Sequence, residues 1–382
     1  MLRTLFGKLT LPSPRLATCP CQAAERQSFS PLAALLVERT TPELRYLQAK
    51  WASLVSYGMT VDLLEEILPI QVSQTARIRQ VQQVAERLES ELGEEQAFFI
   101  AGCQRDWDAL PIPDGPLTVG IDGGYVHARD GDRGKAGWFE VIVGKSIPAE
   151  DASKCFGLVT SYDTKPRRRL FDLLNAQGLQ MNQTVTFLSD GGENVRDLQL
   201  EMSPQAEHLL DWFHVTMRLT VLQQLRKELG TAAPKLPLDV IAADVERVKW
   251  CLWHGNVFRT LQLLTDIHDE LDAASEETPA ARKLAKAVRE FHGYIAANKA
   301  FIPNYGDRYR HGERIATGFV ESAVNQVVSK RMVKQQQMRW TKKGAHLLLQ
   351  VRTQVLNDDL RTTFERWYPA MVSTDIRLEA VA

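Results

Sequence analysis

Short apolar runs separated by amphipathic segments occupy the middle of the chain and predict a mixed α/β core. Runs rich in β-branched and aromatic residues are typical of strands, and continuous apolar runs are typical of strands buried on both faces. The predicted strands are 117–127, 137–144, 155–162, 185–189 and 206–212. The predicted helices between the later strands are 166–178 and 193–202. The order βββαβαβ predicts three antiparallel strands extended by two parallel ones.

Helical periodicity dominates on both sides of this core. Ahead of it, one apolar face begins at Pro42, a capped segment covers 60–68, and a longer polar helix covers 74–92 and carries Arg77 and Arg79. A short helix, a turn and a longer basic helix are the outline of a helix-turn-helix module that reads DNA. Any small helical bundle gives the same outline, so a packing or dimerisation role stays open.

The pattern divides the chain into six segments. They are a poorly ordered leader (1–41), a helical, helix-turn-helix-like DNA-binding domain (42–92), a linker (93–116), the first part of a ribonuclease H-like catalytic core (117–212), a helical insertion domain (213–310), and a catalytic helix with C-terminal helices (311–382). The expected fold class is therefore α/β, with a ribonuclease H-like mixed five-stranded sheet.

Composition adds limits rather than a function. A hydrophobic fraction of 44% and a charged fraction of 24% are ordinary for a globular chain and argue against disorder. Five scattered cysteines argue against a secreted disulfide framework and favour a reducing, cytoplasmic location. Apolar stretches long enough to span a bilayer are missing from the sequence, so no membrane association is expected.

Two apolar runs end in the same way, each with an aspartate followed by glycines. Asp122 follows the run beginning at Leu117, and Asp190 follows the run beginning at Val185. An acid in an apolar strand is either a turn residue or a ligand. Glu321 lies at the border of an apolar helical stripe and could present its carboxylate to the sheet edge, although a solvated charge is the ordinary alternative.

Three carboxylates of this kind can hold two divalent cations about 4 Å apart, the arrangement that serves phosphodiester chemistry. Oxygen-only ligation suits Mg²⁺ or Mn²⁺. Asp122, Asp190 and Glu321 are accordingly the predicted metal ligands and catalytic residues.

The motifs that carry these acids, together with two others, resemble those of bacterial insertion-sequence DDE transposases distantly related to Mutator-like elements. The motifs are IDGGYV at 121–126, FLSDGG at 187–192, DWFH at 211–214, GFVES at 318–322 and MRW at 338–340. The resemblance covers roughly 42–367. It implies that Asp122, Asp190 and Glu321 form the DDE triad, that an insertion domain separates the last two, and that more sequence usually precedes the helix-turn-helix.

The resemblance also matches Asp211 and His214 to an Asp/Cys-x-x-His signature. From the residues alone, His214 could orient a water or a scissile phosphate, or it could form a structural bridge from Asp211 to the backbone. We therefore treat His214 as a candidate catalytic residue and the pair Asp211 and His214 as a structural support.

Positive charge clusters around the predicted site although the chain as a whole has a formal charge of -1. Phosphate contacts dominate DNA binding, so these residues are candidate DNA contacts. With Arg77 and Arg79, they are Arg167, Arg168, Arg169, Lys330, Arg331, Lys334, Arg339 and the neighbouring Trp340. Trp340 could stack on a base or anchor the core.

These features favour a transposase that cleaves element ends and joins the 3' hydroxyl to target DNA. The partners expected are DNA and further copies of the chain, as a homodimer or a higher assembly. A ribonuclease H-like nuclease without strand transfer and an inactive DNA-binding remnant are the alternatives.

Overall fold

The computed structural model describes residues 1–17, 28–71, 73–129, 137–149, 152–229, 236–275, 278–333 and 339–371, without the side chains of Arg77 and 273–275. The strands in these ranges are β1 Leu2–Thr4, β2 Gly7–Leu9, β3 Leu16–Ala17, β4 Ser28–Phe29, β5 Leu117–His127, β6 Trp138–Ile147, β7 Lys154–Val159, β8 Val185–Ser189 and β9 Ala206–Leu210.

The α-helices of the same ranges surround the sheet. They are α1 Pro31–Leu35, α2 Pro42–Leu54, α3 Tyr57–Ile67, α4 Gln74–Glu91, α5 Gln104–Asp108, α6 Pro166–Ala176, α7 Glu193–Gln199, α8 Trp212–Leu229, α9 Leu238–Trp253, α10 Val257–Ser275, α11 Pro279–Ala297, α12 Tyr305–Arg310, α13 Gly318–Val324, α14 Lys342–Leu356 and α15 Leu360–Trp367. A π-helix, Asn325–Val333, continues α13.

The central sheet has the strand order β7-β6-β5-β8-β9. The first three strands in sequence pair antiparallel, whereas β8 and β9 run parallel to β5. The protein is therefore a mixed α/β structure whose five-stranded sheet is compatible with a ribonuclease H-like fold. The predicted order of strands and helices is confirmed. The short apolar runs make their backbone hydrogen bonds to neighbouring strands of a buried sheet.

Each face of the sheet has its own hydrophobic core. On one face, Val119 and Ile121 of β5 pack with side chains of α6 and α7. On the other face, Val126 packs with α14, the π-helix and the N-terminal helices. The alternation along β5 thus separates two cores and leaves Asp122 on the same face as Val126.

Helices α2 and α4 lie against α14 and share its hydrophobic core, which includes Ala52 and Val84. A smaller cluster around Leu44 and Leu64 joins α2 to α3. These contacts give the predicted helix-turn-helix segment a packing role in the protein. Its reading of DNA stays a prediction.

The described part of the predicted leader contains regular structure, in contrast to the poorly ordered segment that its composition suggests. β1 and β2 pair antiparallel, and Arg3 bridges to Thr40 just ahead of α2. β3 and β4 form a second two-stranded sheet. Backbone pairing therefore organises residues that lack a clear hydrophobic period.

Helices α8 to α12 enclose a separate hydrophobic core, to which every one of them contributes. Its members include Leu222, Val248, Leu264 and Phe291. The stripes of leucine and valine along this stretch predict such a bundle. The insertion between β9 and α13 is therefore a helical layer with its own interior.

A buried ion network joins α4, α6 and α14 beneath β7. Arg169 is 7% exposed and donates to Asp163 at 2.9 and 3.2 Å, to Glu89 at 3.0 Å and to Gln350 at 2.6 Å. The His346 imidazole lies 3.5 Å from Glu89. The guanidinium thus neutralises two carboxylates that come from different parts of the chain.

The acid stability of the protein should depend on Glu89. Burial opposes ionisation of Glu89, but the hydrogen bonds and charges of His346 and Arg169 outweigh it and lower the pKa to about 2. A depressed folded-state pKa gives stability above the unfolded value, and this stability is lost as pH falls towards about 2.

We therefore expect the free energy of unfolding to fall more steeply with acid in the wild type than in Glu89→Gln. Urea unfolding at a series of pH values measures both slopes, with the exposed Glu270→Gln as a control that keeps the wild-type slope. Equal slopes for wild type and Glu89→Gln would contradict the assigned pKa.

Trp340, just ahead of α14, connects the C-terminal helices to the end of β5. This residue is 5% exposed, forms a parallel bridge with Ala128, and donates from its backbone N–H to the His127 carbonyl at 2.8 Å. The Arg331 guanidinium lies 5.2 Å from the Trp340 ring and 5.0 Å from the Tyr57 ring.

In the described chain, the helices are each too short or too polar to cross a bilayer.

Candidate functional site

Three aspartates stand side by side at the carboxyl end of the parallel strands. Asp122, Asp190 and Asp211 each follow the last rung that pairs β5, β8 and β9. Neighbouring strands are about 4.8 Å apart, so this register brings three carboxylates to one edge. The Asp211 N–H donates to the Ser189 carbonyl at 2.8 Å and continues the rung. The sequence predicts the first two members of this row as ligands and the third as a support.

The row concentrates negative charge around Asp122. Burial raises the pKa of the Asp122 carboxyl, and the charges of Asp190 and Asp211 raise it further. His214 and the Gly123 N–H, which donates to Asp122 Oδ1 at 2.7 Å, act in the opposite direction. The net shift is upward, as expected for a carboxylate among like charges.

Asp211 holds His214 and the start of α13 together. Its fully buried carboxylate accepts hydrogen bonds from the Phe213 N–H at 2.9 Å, from the Thr317 N–H at 3.0 Å and from the Thr317 hydroxyl. It also lies 2.9 Å from His214 Nδ1. Because Thr317 immediately precedes α13, one carboxylate fixes both the imidazole and the entry to the helix that carries Glu321.

His214 lies between two members of the aspartate row. Its Nε2 atom is 3.8 Å from Asp122 Oδ1, opposite the contact with Asp211. Burial lowers the pKa of His214, but the hydrogen bond and charge of Asp211 and the charges of Asp122 and Asp190 raise it by more. The net shift is upward, so the site favours the protonated imidazole more than water does. Nδ1 thus lies against Asp211 and Nε2 towards Asp122, while the choice between a structural bridge and the orientation of a water or scissile phosphate stays a prediction.

A tight turn follows Asp190. Gly191 adopts a left-handed φ of +82°, and the Gly192 N–H donates to Asp190 Oδ1 at 2.9 Å. A Cβ at Gly191 would lie 2.3 Å from Asn298 Oδ1, so both the conformation and the space require glycine. From α11, the Tyr294 hydroxyl donates to the Asp190 carbonyl at 2.9 Å. The helical layer α8 to α12 therefore contacts the backbone of the candidate site.

Glu321 lies on a helix that crosses the Asp122 face of β5. Gly120, Asp122 and Gly124 share this face by the alternation of the strand. A Cβ at Gly120 would be 2.1 Å from Val320, and one at Gly124 would be 3.3 Å from Val324. The helix is thus seated on both sides of Asp122, while the Glu321 side chain itself is exposed.

The donor chemistry of the row fits a hard cation, because carboxylate oxygens clustered with like charge gain from a divalent ion. Asp122, Asp190 and Glu321 do not form a set of three ligand atoms within 4.8 Å of one another in the described residues. Such a set does occur at Glu89, Asp163 and His346. There, however, the Arg169 guanidinium already supplies the cation.

The residues predicted to contact DNA divide into exposed and packed side chains. Arg79, Lys330 and Arg339 are exposed and free to meet a phosphate. The side chain of Arg77 and the whole of Lys334 lie outside what the structure describes. Arg331 and Trp340 are buried in the interface between α3 and the C-terminal region, which matches the core-anchor alternative for Trp340.

The three consecutive arginines of α6 all make hydrogen bonds within the protein, two of them to the chain around the start of the predicted linker. Arg167 donates to the Ala97 carbonyl and, at 3.1 Å, to the Asp197 carbonyl. Arg168 donates to the Leu92 carbonyl at 2.7 Å, and Arg169 enters the buried ion network. In this structure their hydrogen bonds are directed to the protein.

Three residues of the site carry no motif that sequence reasoning detects. Thr317 is an ordinary threonine before a helix, Tyr294 lies within α11 and Arg218 lies within α8. Thr317 contacts Asp211 across 106 residues of chain and Tyr294 contacts Asp190 across 104, whereas Arg218 joins the site through the Tyr294 ring. The sequence signal that could have pointed to Arg218 is that α8 contains a single acid, Glu228, near its C-terminus.

Comparison with known proteins gives little further guidance. No protein-family model matches the sequence, and no curated protein matches it. Among solved structures, the chain is similar to a chain of the "Drosophila P element transposase strand transfer complex", with 10% identity and a TM-score of 0.27, over 88% of this chain and 85% of that chain. A TM-score of this size does not establish a common fold.

Proposed function

We propose that the protein is a divalent-metal-dependent DNA transposase that cleaves at element ends and transfers the 3' hydroxyl into target DNA. One observation carries the proposal: the register of β5, β8 and β9 aligns acids at the carboxyl edge of a ribonuclease H-like sheet. This edge is where open α/β sheets bind their ligands. The motifs around Asp122, Asp190 and Glu321 supply the second support.

Asp122, Asp190 and Glu321 would hold Mg²⁺ or Mn²⁺, as two ions. Bound there, the ions would activate the attacking oxygen and stabilise the departing one during an in-line displacement. Burial, together with repulsion from Asp190 and Asp211, raises the pKa of Asp122, and a bound cation would favour the ionised carboxylate against both. Exposure of Glu321 on a helix over the same face of β5 leaves its carboxylate available to such a ligand set.

The chain's own residues would position these groups. Asp211 orients His214 through Nδ1, so that Nε2 faces Asp122 and can hold a proton or a phosphate oxygen. The same carboxylate fixes Thr317 and with it the start of the Glu321 helix. Tyr294 steadies the Asp190 turn from the insertion domain.

In the assembled enzyme, residues 42–92 would bind the element ends and 213–310 would act as the insertion domain. Exposed Arg79, Lys330 and Arg339 would meet the DNA backbone. Because element ends are processed in pairs, the active form would be a homodimer or a higher assembly.

The test uses a supercoiled donor plasmid that carries the DNA flanking the reading frame on both sides. With Mg²⁺ or Mn²⁺, we expect cleavage at the ends and a joined product, whose junctions sequencing identifies. Asp190→Asn and Glu321→Gln should lose both products, whereas the exposed Glu270→Gln should keep both.

Each alternative has a distinct outcome in this assay. Cleavage without a joined product would indicate a ribonuclease H-like nuclease without strand transfer instead of a transposase. DNA binding without cleavage under either metal would indicate an inactive DNA-binding remnant. Wild-type cleavage by Glu321→Gln would remove that residue from the ligand set.

A further inference from the structure

Arg218 is an exposed cation at the edge of the candidate site. It follows His214 by four residues on α8, so the two side chains lie on the same face of the helix. Leu219 and Leu222 bury the opposite face in the core of the insertion domain. The exposed face of α8 therefore leads directly from His214 to Arg218.

The Arg218 guanidinium is held by an aromatic ring. It lies 4.0 Å from the ring centroid of Tyr294, whose hydroxyl donates to the Asp190 carbonyl. Cation–π contact orients a guanidinium without consuming its charge, because its N–H groups remain able to donate. A cation–π contact and one hydrogen bond thus connect the Arg218 guanidinium to the backbone of Asp190, a proposed metal ligand.

Arg218 has no ion pair with a carboxylate in the described part of the chain, whereas several exposed arginines do. The single acid of α8, Glu228, pairs with Lys283. A desolvated aromatic support beside an unpaired guanidinium suits a planar or tetrahedral oxyanion, for which Arg provides a fork of donors.

We propose that Arg218, supported by Tyr294, binds a backbone phosphate of the DNA next to the one that is cut. The proposal rests on the function proposed above and deepens it by assigning a substrate-binding residue in the insertion domain. α8 and α11 would thereby form one wall of the DNA channel, and Tyr294 would couple phosphate binding to the position of the Asp190 turn.

The test measures DNA binding separately from cleavage. In an Asp122→Asn background with Ca²⁺, fluorescence anisotropy follows the binding of a 40-base-pair duplex to the full chain over a range of salt concentrations. We expect Arg218→Gln to weaken binding and to reduce the slope of log affinity against log salt by about one, the loss of one phosphate contact.

Lys227→Gln is the matched control, because it removes one exposed positive charge from the same helix about 14 Å farther along. It should keep the slope of the parent. Arg218→Lys should keep most of the salt slope but lose affinity, since ammonium lacks the planar fork. In the cleavage assay, Arg218→Gln should raise KM more than it lowers kcat.

Equal slopes and affinities for Arg218→Gln and Lys227→Gln would overturn the phosphate assignment. So would a loss of thermal stability in Arg218→Gln that accounts for its weaker binding. Failure of the proposed function has a different signature, which is unchanged cleavage when Asp122 is replaced by Asn. The two failures are therefore separable.

Discussion

Asp122→Asn is expected to lower plasmid cleavage by more than about 100-fold and to raise the thermal stability of the protein. Loss of an outer-shell partner of a metal ligand already costs 10–100-fold, and a direct ligand should cost more. Stability should rise because burial desolvates ionised Asp122 and because Asp190 and Asp211 repel it, and the amide removes both costs. The Oδ1 acceptor for the Gly123 N–H is retained.

The sign follows from the direction of the pKa shift. A carboxyl whose folded-state pKa is raised favours the folded state below its unfolded pKa and loses that contribution as pH rises through the folded value. At pH 7 the ionised group is therefore a cost to folding. Cleavage rate and melting temperature, both measured at pH 7, test the two halves, with melting followed in the absence of divalent ions.

Asp211→Asn is the contrasting variant in the same row. Its carboxylate is fully buried and accepts hydrogen bonds from Phe213, Thr317 and His214. An amide cannot accept all of them, so stability should fall by about 1–3 kcal/mol together with activity. A fall in melting temperature for Asp122→Asn would instead mark Asp122 as a structural residue.

Arg169→Leu should be the most destabilising of the variants considered, lowering the free energy of unfolding by about 3–5 kcal/mol. The substitution leaves the nearly buried Asp163 and the partly buried Glu89 without their cation. Removal of one partner from a buried ion pair is costly because the other charge stays desolvated. Urea unfolding at pH 7 measures the change.

Arg289→Leu serves as the control for the loss of an exposed arginine and should keep the wild-type midpoint. The comparison also separates two roles of Arg169. If Arg169→Leu unfolds at the wild-type midpoint but loses DNA affinity, Arg169 contacts phosphate, as its position in the Arg167 to Arg169 run suggests. Loss of stability would assign it to the network.

The strands were predictable because their signal is local. The apolar run at Val185–Ser189 matches the observed strand at both ends, and the glycines after Asp122 and Asp190 mark the edge at which the acids stand. Strand order followed, since a βββαβαβ sequence leaves few ways to bury its parallel half. The alignment of Asp211 with these two acids required the register of β9 and was not expected from its motif.

The fate of the basic residues was less accessible to sequence reasoning. Arg169 and Arg331 occupy helices whose other cations are half-exposed or exposed, and partners distant in the chain bury these two. The predicted regular stripe around Glu321 also changes at Asn325, where the π-helix begins and brings Val328 and Met332 to the core. Periods of 3.6 residues cannot anticipate such a change.

The absence of a side chain at Gly120 sets the distance between β5 and α13. A methyl group there would project to 2.1 Å from Val320 Cγ2, far inside the repulsive range. Alanine at this position would lift α13 away from β5 and carry Glu321 outward with it. Gly120, which has no side chain, would therefore help to set how closely the Glu321 carboxylate can approach the other proposed ligands.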